Sequence, residues 1–274
     1  MDIRKIAIIA IIVICILSLA YGIYFQIFVK NSDTHIGNNT VTEVITDVIE
    51  FDRLFDNTIN YQGYNVNNES KIDQTRELVY TNYTQTEIYE GKYDIKVNIP
   101  IININNEKAL EINEEINSVF QDKVNSIIEN RNSEEAKYTI YTVEYTAYLN
   151  ENILSLVIKA TLKEGDSAQR LIIKAYTYNL STNEQIPLSS MLEIRGKNSG
   201  DVEREIKRTV QEAISQTDNL SALGYTVYER DINSSMYNIE NSDNYFLGPN
   251  GTIYIIYAYG NSNFTTERDV VVIQ

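Results

Sequence analysis

An apolar segment near the start of the chain most constrains what this protein can be. From Ile6 to Val29 no residue carries a charge. At a rise of about 1.5 Å per residue, some 24 helical residues cross a hydrocarbon core of about 30 Å. Tyr21 and Phe25 lie toward the far end of the segment, where aromatic side chains favour the membrane interface. The segment therefore predicts a transmembrane helix over residues 6–29.

The charges before this segment predict its orientation. Arg4 and Lys5 should stay in the cytoplasm, which leaves residues 1–5 as a cytoplasmic stub and places the rest outside a single-pass cell-membrane anchor. The alternative is a cleaved signal peptide, for which Ser18-Leu19-Ala20 is a passable site, but the apolar run continues well beyond it. The lone Cys15 lies inside the segment, so no disulfide framework is expected outside the membrane.

The balance of charges and the scarcity of histidine exclude several functions. The net charge is -15, which disfavours nucleic-acid binding and suits either a basic partner or simple solubility. The only histidine is His35, in a polar stretch beside the predicted membrane helix, so neither a His-dependent triad nor a Cys/His zinc site is expected. No cofactor is predicted. A pair of carboxylates acting on a glycan remains an alternative.

Hydrophobic periodicity predicts the fold class. Residues 30–76 are mostly polar and form a tether, with a short amphipathic helix over 41–56 and an irregular connector over 57–76. Residues 77–274 form the extracytoplasmic domain, in which alternating runs predict strands and the intervals 107–130 and 200–215 predict amphipathic helices. We therefore expect an α+β fold of antiparallel sheet(s) with packed helices.

Tyrosine is the most conspicuous surplus, with 21 in the chain. Several fall on predicted strands and share a face. Aromatic strand faces can stack on sugars or anchor a protein partner, so the candidate ligand-binding tyrosines are Tyr141, Tyr145, Tyr176 and Tyr178. The alternative is that these rings fill the core.

A series of short motifs resembles a known envelope domain. The motifs are Asn152–Leu156, Tyr176–Leu180, Ile186–Leu192 and Tyr245–Tyr259. Their order resembles the extracytoplasmic domain shared by the lysozyme-sensing anti-sigma factor RsiV and PdaC-type peptidoglycan deacetylases, over roughly residues 80–273. The chain lacks both the cytoplasmic anti-sigma segment and the deacetylase domain, so the resemblance implies the envelope-facing module alone.

The resemblance also marks one loop. Relatives commonly carry a Gly-Gly-Ala-His-like loop after the second hairpin strand, whereas here the loop is Glu164–Gln169, with Gln169 where the histidine would fall. Gly165, Asp166 and Gln169 are therefore further candidate ligand-binding residues. Because Gln169 replaces the histidine, we expect the function of the loop to differ from its function in relatives.

Together these observations predict a non-enzymatic binding or sensing protein of the bacterial cell envelope. Its expected ligand is a cell-wall fragment or a basic protein such as lysozyme. The alternatives are a glycan hydrolase that uses a carboxylate pair and a structural partner of another membrane protein in envelope assembly.

Overall fold

The computed structural model describes residues 50–62, 71–224, 227–259 and 267–274, all within one compact unit, Asp47–Gln274. Within these ranges, no helix has the length and apolar character needed to cross a bilayer. The predicted cytoplasmic stub, membrane helix and first part of the tether lie outside the described residues, and with them Arg4, Lys5, Ile6, Cys15, Tyr21, Phe25 and Val29.

The described residues form ten strands and four α-helices, besides short 3-10 turns and one π turn. The strands are β1 Ile59–Gln62, β2 Val79–Tyr89, β3 Tyr93–Ile102, β4 Thr139–Asn150, β5 Ile153–Glu164, β6 Arg170–Asn179, β7 Glu184–Gln185, β8 Tyr245–Leu247, β9 Ile253–Ala258 and β10 Arg268–Ile273. The helices are α1 Glu107–Ile116, α2 Asp122–Glu129, α3 Leu188–Ile194 and α4 Ser199–Ala222. The α+β class predicted from the sequence is confirmed.

The larger sheet is mixed, which corrects the expectation of antiparallel pairing throughout. Its strands follow the order β2-β3-β4-β5-β6-β7, and β1 also pairs with β4. Strand β4 runs parallel to both β3 and β1, while the remaining pairs are antiparallel. The parallel pair arises because α1 and α2 carry the chain from the end of β3 back to its starting end, as a crossover connection requires.

Part of the predicted tether belongs to the folded unit. Strand β1 pairs with Ala147–Asn150 of β4, although residues 57–76 were expected to be an irregular connector. Before it, Asn57 donates its backbone N–H to the carbonyl of Tyr145 (2.8 Å) and accepts the Tyr145 N–H on its side chain (3.1 Å). The polar sequence concealed this strand because its pairing depends on the backbone and on amide side chains, which leave no apolar alternation.

Strand β2 was not predicted, and its irregular sequence explains why. Only its first residue, Val79, is buried, and the rest of the strand is at least partly exposed. The register with β3 shifts between Thr81 and Tyr83, and Thr81 is the residue that pairs with Pro100. Proline cannot donate a ladder hydrogen bond, so a bulge at this position accommodates it.

The two central strands behave as the alternation predicts. Alternate residues of β4 and β5 meet directly across the ladder, as in the pairs Tyr145 with Ile158 and Ala147 with Leu156. These side chains are buried in one core with the apolar residues of α1 and α2. The opposite face of β5 and β6 packs on the small antiparallel sheet β10-β9-β8, whose other face packs with residues of α3 and α4.

The predicted helix over 107–130 is confirmed, with one interruption. Residues Asn117–Gln121 form a π turn between α1 and α2. Its core contacts recur every four residues, at Ile112, Ile116, Phe120 and Val124. A spacing of four residues exceeds the 3.6 residues of an α-helical turn, so in a regular α-helix these buried side chains would drift around the helix axis. The π turn has more residues per turn and keeps them on the side that faces the core.

A buried network of ion pairs and hydrogen bonds connects β10 with the segment that follows α4. The Arg230 side chain is 5% exposed and binds both carboxylate oxygens of Asp269, at 2.8 and 3.0 Å. Asp269 also accepts the Tyr259 hydroxyl (2.5 Å), and that hydroxyl is 2.9 Å from the one of Tyr237. Arg230 further donates to Thr217 on α4 (2.8 Å). Each buried charge therefore has a partner.

Replacing Arg230 by Met should destabilise the fold by about 3–5 kcal/mol, because it leaves the buried Asp269 carboxylate without its cation. Urea unfolding of the detergent-solubilised chain, followed by circular dichroism, measures this. The matched control is Arg208→Met, since Arg208 also bridges two carboxylates, Glu205 and Glu212, but its side chain is 57% exposed. Surface pairs contribute little, so equal losses in the two variants would contradict a special role for the network.

Candidate functional site

The four candidate tyrosines do not form an exposed binding face. Tyr141, Tyr145 and Tyr178 are at most 1% exposed, and Tyr176 is 3% exposed. All four share the core between the large sheet and the helices α1 and α2. These tyrosines therefore pack in the core, which was the alternative considered from the sequence. They alternate along β4 and β6, and this places each ring on the face of the sheet that α1 and α2 cover.

Three of these buried hydroxyls have partners, and one does not. Tyr145 pairs with the Thr81 hydroxyl (3.0 Å), and Tyr141 donates to the Phe120 carbonyl (3.4 Å). Tyr178 accepts from the Asn106 amide (2.6 Å) and donates to Asn183 (3.2 Å). Among the described residues, the Tyr176 hydroxyl has no hydrogen-bond partner. Buried polar groups are nearly always paired, so this hydroxyl is an exception.

The Tyr176 hydroxyl lies beside a carboxylate. Burial raises its pKa above the usual tyrosine value, and the neighbouring Glu115 carboxylate raises it further. Glu115 acts on the hydroxyl through its charge and through a weak hydrogen-bonding contact, but no hydrogen bond of ordinary length and angle joins the two groups. The hydroxyl therefore stays protonated at neutral pH and lacks a full hydrogen bond.

In the Glu164–Gln169 loop, the backbone conformation and close packing explain the glycine at position 165. Gly165 has a positive φ of +56°, its N–H donates to the Tyr138 carbonyl (2.8 Å), and a Cβ there would lie 3.3 Å from Lys137. A side chain is disfavoured in this conformation. Asp166 and Gln169 are exposed and do not line the cavity that the loop borders.

A cavity of about 480 Å³ opens beside this loop, and we call it the loop-end cavity. Four cationic side chains and two carboxylates line it, together with small polar residues. The charged lining residues are Lys92, Lys123, Arg131, Lys137, Glu135 and Glu164. A basic concavity is unexpected in a chain whose net charge is -15.

The sheet topology brings these cations together from distant parts of the sequence. Lys92 lies in the β2–β3 turn, Arg131 follows α2, and Lys137 precedes β4. Because β3 and β4 are parallel, both begin at this end of the sheet. The backbone N–H of Thr139 donates to the Lys92 carbonyl (3.0 Å), which fixes the two starts side by side.

The cations of the cavity differ in how they are paired. Lys123 and Arg170 bind the two carboxylate oxygens of Glu164, at 2.8 and 2.5 Å. Within the described part of the chain, Lys92, Arg131 and Lys137 form no salt bridge with a carboxylate. Three cations around one concavity therefore keep their charge available for an anionic group.

Aromatic and apolar side chains are exposed at the same end of the sheet. Tyr89 ends β2, and its carbonyl accepts the Lys92 N–H (2.9 Å). Tyr138 stands between two lining residues, and its ring is 41% exposed, while that of Tyr89 is 45% exposed. Exposed rings beside cations can stack on a sugar whose acidic groups bind the cations.

The carboxylate of Glu164 is held in its charged form by the cations around it. Burial alone would raise the pKa of the Glu164 carboxyl, but Lys123 and Arg170 hold it below its usual value of 4.5. A carboxylate that is charged at neutral pH cannot act as a proton donor there. Among the described residues, no group of three His, Cys, Asp or Glu side chains is placed to hold a metal ion.

Sequence reasoning located the loop but missed the cavity residues. Lys123 lies in the predicted helix 107–130, whereas Lys92, Arg131 and Lys137 lie between predicted elements, and the four form no motif. The only signal in the sequence was the series of basic residues at the ends of predicted strands and helices. It became meaningful only once β3 and β4 were known to be parallel.

Comparisons with known proteins give structural neighbours only. No protein-family model matches the chain, and no curated protein matches it. A crystal structure of a DUF3298 family member from Bacteroides fragilis is 12% identical, covers 66% of this chain and 81% of its own, and has a TM-score of 0.34. A DUF3298 family protein from Pseudomonas aeruginosa is 9% identical, with coverages of 70% and 90% and a TM-score of 0.36. At these values the likeness carries no argument about a ligand.

Removing the two hydroxyls of β6 should have opposite consequences for stability. Tyr178→Phe should cost about 1 kcal/mol, because it removes the hydrogen bonds of this buried hydroxyl to the half-buried Asn106 and the exposed Asn183. Tyr176→Phe should be neutral or slightly stabilising, because its hydroxyl has no bond to lose. Urea unfolding of both variants measures the difference, and a comparable loss in Tyr176→Phe would show that its hydroxyl is paired after all.

The Glu164 ion cluster should make stability depend on pH. A carboxyl whose pKa is lower in the folded state stabilises the fold fully above the unfolded pKa, and the contribution disappears as the pH falls through the folded pKa. Glu164→Gln should therefore lower the free energy of unfolding at pH 7 by less than about 1 kcal/mol, since the side chain is partly exposed, and should have a smaller effect at pH 3, where the carboxyl is protonated to a greater extent.

Unfolding curves of the wild type and the variant at both pH values measure this dependence. The exposed Glu114→Gln on α1 is the control for loss of a negative charge alone. An effect of Glu164→Gln that is the same at pH 7 and pH 3 would mean that its cause is packing instead of ionisation.

Proposed function

We propose that this chain is a binding protein of the bacterial cell envelope, anchored in the cytoplasmic membrane by residues 6–29 and displaying its folded domain outside. The domain binds an anionic fragment of the cell wall at the loop-end cavity and does not cleave it. The observation that carries this proposal is the basic cavity on an otherwise acidic protein. The uncharged segment 6–29, with Arg4 and Lys5 before it, supports the anchor.

The lining of the cavity favours a ligand with carboxylate groups. Peptidoglycan fragments combine acidic stem peptides with sugar rings. The cavity supplies Lys92, Arg131 and Lys137, and the exposed Tyr89 and Tyr138 lie close to these residues in sequence, outside the cavity lining. Charge-assisted hydrogen bonds are the stronger kind. The acidic remainder of the domain would repel long polyanions, so a compact anionic fragment suits the site better than an extended one.

A basic protein such as lysozyme is the second candidate ligand. The observation that favours it is the exposed acidic face of α1, which carries Glu107, Glu111 and Glu114. Complementary charge would speed the encounter with such a protein. This binding would use a surface other than the loop-end cavity, so the two candidates can be separated by substitution.

Calorimetric titration of the detergent-solubilised full chain with purified muropeptides tests the proposal. The double variant Lys92→Gln/Lys137→Gln should weaken binding about tenfold or more, because it removes two charge-assisted contacts. The matched control is Lys96→Gln/Lys207→Gln, which makes the same change of charge at exposed positions on β3 and α4 and should bind as the wild type does.

Four other results would change the assignment. Equal weakening in both double variants would indicate a general charge effect without a site. Binding of lysozyme, but not of muropeptides, would favour the second candidate. A change in the mass of the glycan after incubation with the chain would show that the protein is an enzyme. Recovery of one stoichiometric membrane protein by crosslinking in cells would favour a role in envelope assembly.

A further inference from the structure

We propose that the open edge of β6 binds an extended, basic peptide segment, which adds to the large sheet as a further strand. The site consists of the part of the edge that no described strand covers, at Leu171 and Ile173, and of an adjoining groove of about 620 Å³, which is lined by Lys174–Thr177 of the same strand. It shares no lining residue with the loop-end cavity, and the inference therefore stands whether or not the cavity binds a wall fragment.

Strand β7 covers only a small part of the edge of β6. It pairs with Tyr178 and Asn179 alone. One more backbone bond follows, from the Ile186 N–H to the Thr177 carbonyl (2.9 Å). Pro187 then has no N–H to continue the ladder, and the chain turns into α3. No strand of the described residues pairs with Arg170–Lys174 on this side.

The register shows which backbone groups point to the open edge. Leu180 donates to Asn152 on the β5 side, whereas Thr177 bonds toward β7. Hydrogen-bonding direction alternates along a strand, so Leu171, Ile173 and Ala175 also present their N–H and C=O groups outward. The Ala175 N–H donates to the Asn244 side chain (3.1 Å), which leaves Leu171 and Ile173 available to pair with an added strand.

The groove offers an unused hydrogen-bonding group. Tyr176 lines it, and its hydroxyl is buried without a partner. The hydroxyl has one proton and can also accept a bond, so a ligand that reaches it would satisfy a group that folding alone leaves unpaired. An unsatisfied buried group is costly, and it can be retained where a ligand later supplies the bond.

The charges around the groove favour a basic ligand. Three carboxylates line it, those of Glu115, Glu240 and Asp243, against one cation, Lys174. Lys174 binds Glu115 at 2.8 Å, and both side chains are about 40% exposed, at 39% and 44%. Neither Glu240 nor Asp243 forms a salt bridge within the described ranges. Lysine or arginine side chains of an added strand would complement them.

The same charges disfavour the chain's own tether as the occupant. Residues 31–49 contain Asp33, Glu43 and Asp47 and no lysine or arginine. Like charges across an interface are unfavourable. Strand addition gains its affinity from main-chain bonds and its specificity from alternate side chains, so a segment from a basic protein meets both requirements.

The probe is the peptide acetyl-(Lys-Val)3-amide, titrated into the detergent-solubilised full chain at low and moderate salt. Two matched peptides separate backbone pairing from charge: one has alternate backbone nitrogens methylated, and one has Glu in place of Lys. We expect methylation to weaken binding about tenfold or more and the Glu peptide not to bind, because the first loses the ladder and the second loses the charge complement.

Variants of the chain separate the groove from the rest of the surface. Tyr176→Phe should weaken binding about threefold to tenfold, by the loss of one hydrogen bond, whereas Tyr178→Phe, on the same face of β6 but outside the groove, should leave it unchanged. Glu240→Gln/Asp243→Asn should weaken binding more than Glu193→Gln/Glu203→Gln, which removes two carboxylates elsewhere.

Amide hydrogen exchange gives the direct readout. On binding, the amide hydrogens of Leu171 and Ile173 should exchange about tenfold more slowly or slower still. The exchange rate of the Ile172 amide, which is already paired with β5, should not change. Absence of binding, equal affinity of the methylated peptide, or unaltered exchange at Leu171 and Ile173 would each overturn the proposal. Tighter binding after removal of residues 31–49 would indicate that the tether occupies the edge instead.

Discussion

The pairing of strand β4 is the constraint on which the rest of the structure depends. All of its residues pair with β5 on one side. On the other side it is shared, with β3 along Thr139–Val143 and β1 along Ala147–Asn150. The gap between these partners falls at Tyr145, whose N–H and C=O both bond to Asn57. A central strand cannot leave buried backbone groups unpaired, so Asn57 joins the two pairings into one continuous edge.

The parallel pairing on this edge also creates the loop-end cavity. It requires a crossover, and helices α1 and α2 provide it while covering the face of the sheet that carries the buried tyrosines. The crossover ends beside the start of β3, so the residues after α2 meet the β2–β3 turn and the β5–β6 loop. The cavity is thus a consequence of topology: three turns converge because two strands begin at the same end.

The sequence predicted what depends on local pattern and missed what depends on pairing. The alternation in β4 and β5 and the apolar stripe of α1 and α2 are side-chain periodicities, which can be read directly from the sequence. Strand β1 and strand β2 are held mainly by backbone bonds and amide side chains, so their composition resembles that of a loop. The role of the tyrosines was undecided because alternation shows that residues share a face without showing what covers that face.

The candidate site shows the same division in its chemistry. The Glu164–Gln169 loop could be marked by resemblance, yet its exposed Asp166 and Gln169 do not line the cavity. The charges that distinguish the cavity come from segments up to 45 positions apart, from Lys92 to Lys137. A single sequence records the net charge of -15 but not how that charge is distributed.

That distribution gives the domain two concave surfaces of opposite sign. On an acidic protein, a concavity keeps a positive potential only where its cations are not paired with carboxylates, as is the case among the described residues for Lys92, Arg131 and Lys137. Small anions can still reach such a site, whereas large polyanions meet the acidic surroundings first. The acidic groove at β6 instead favours positively charged ligands. The basic and the acidic concavity share no lining residue, so substitutions in one can be made without altering the charge of the other.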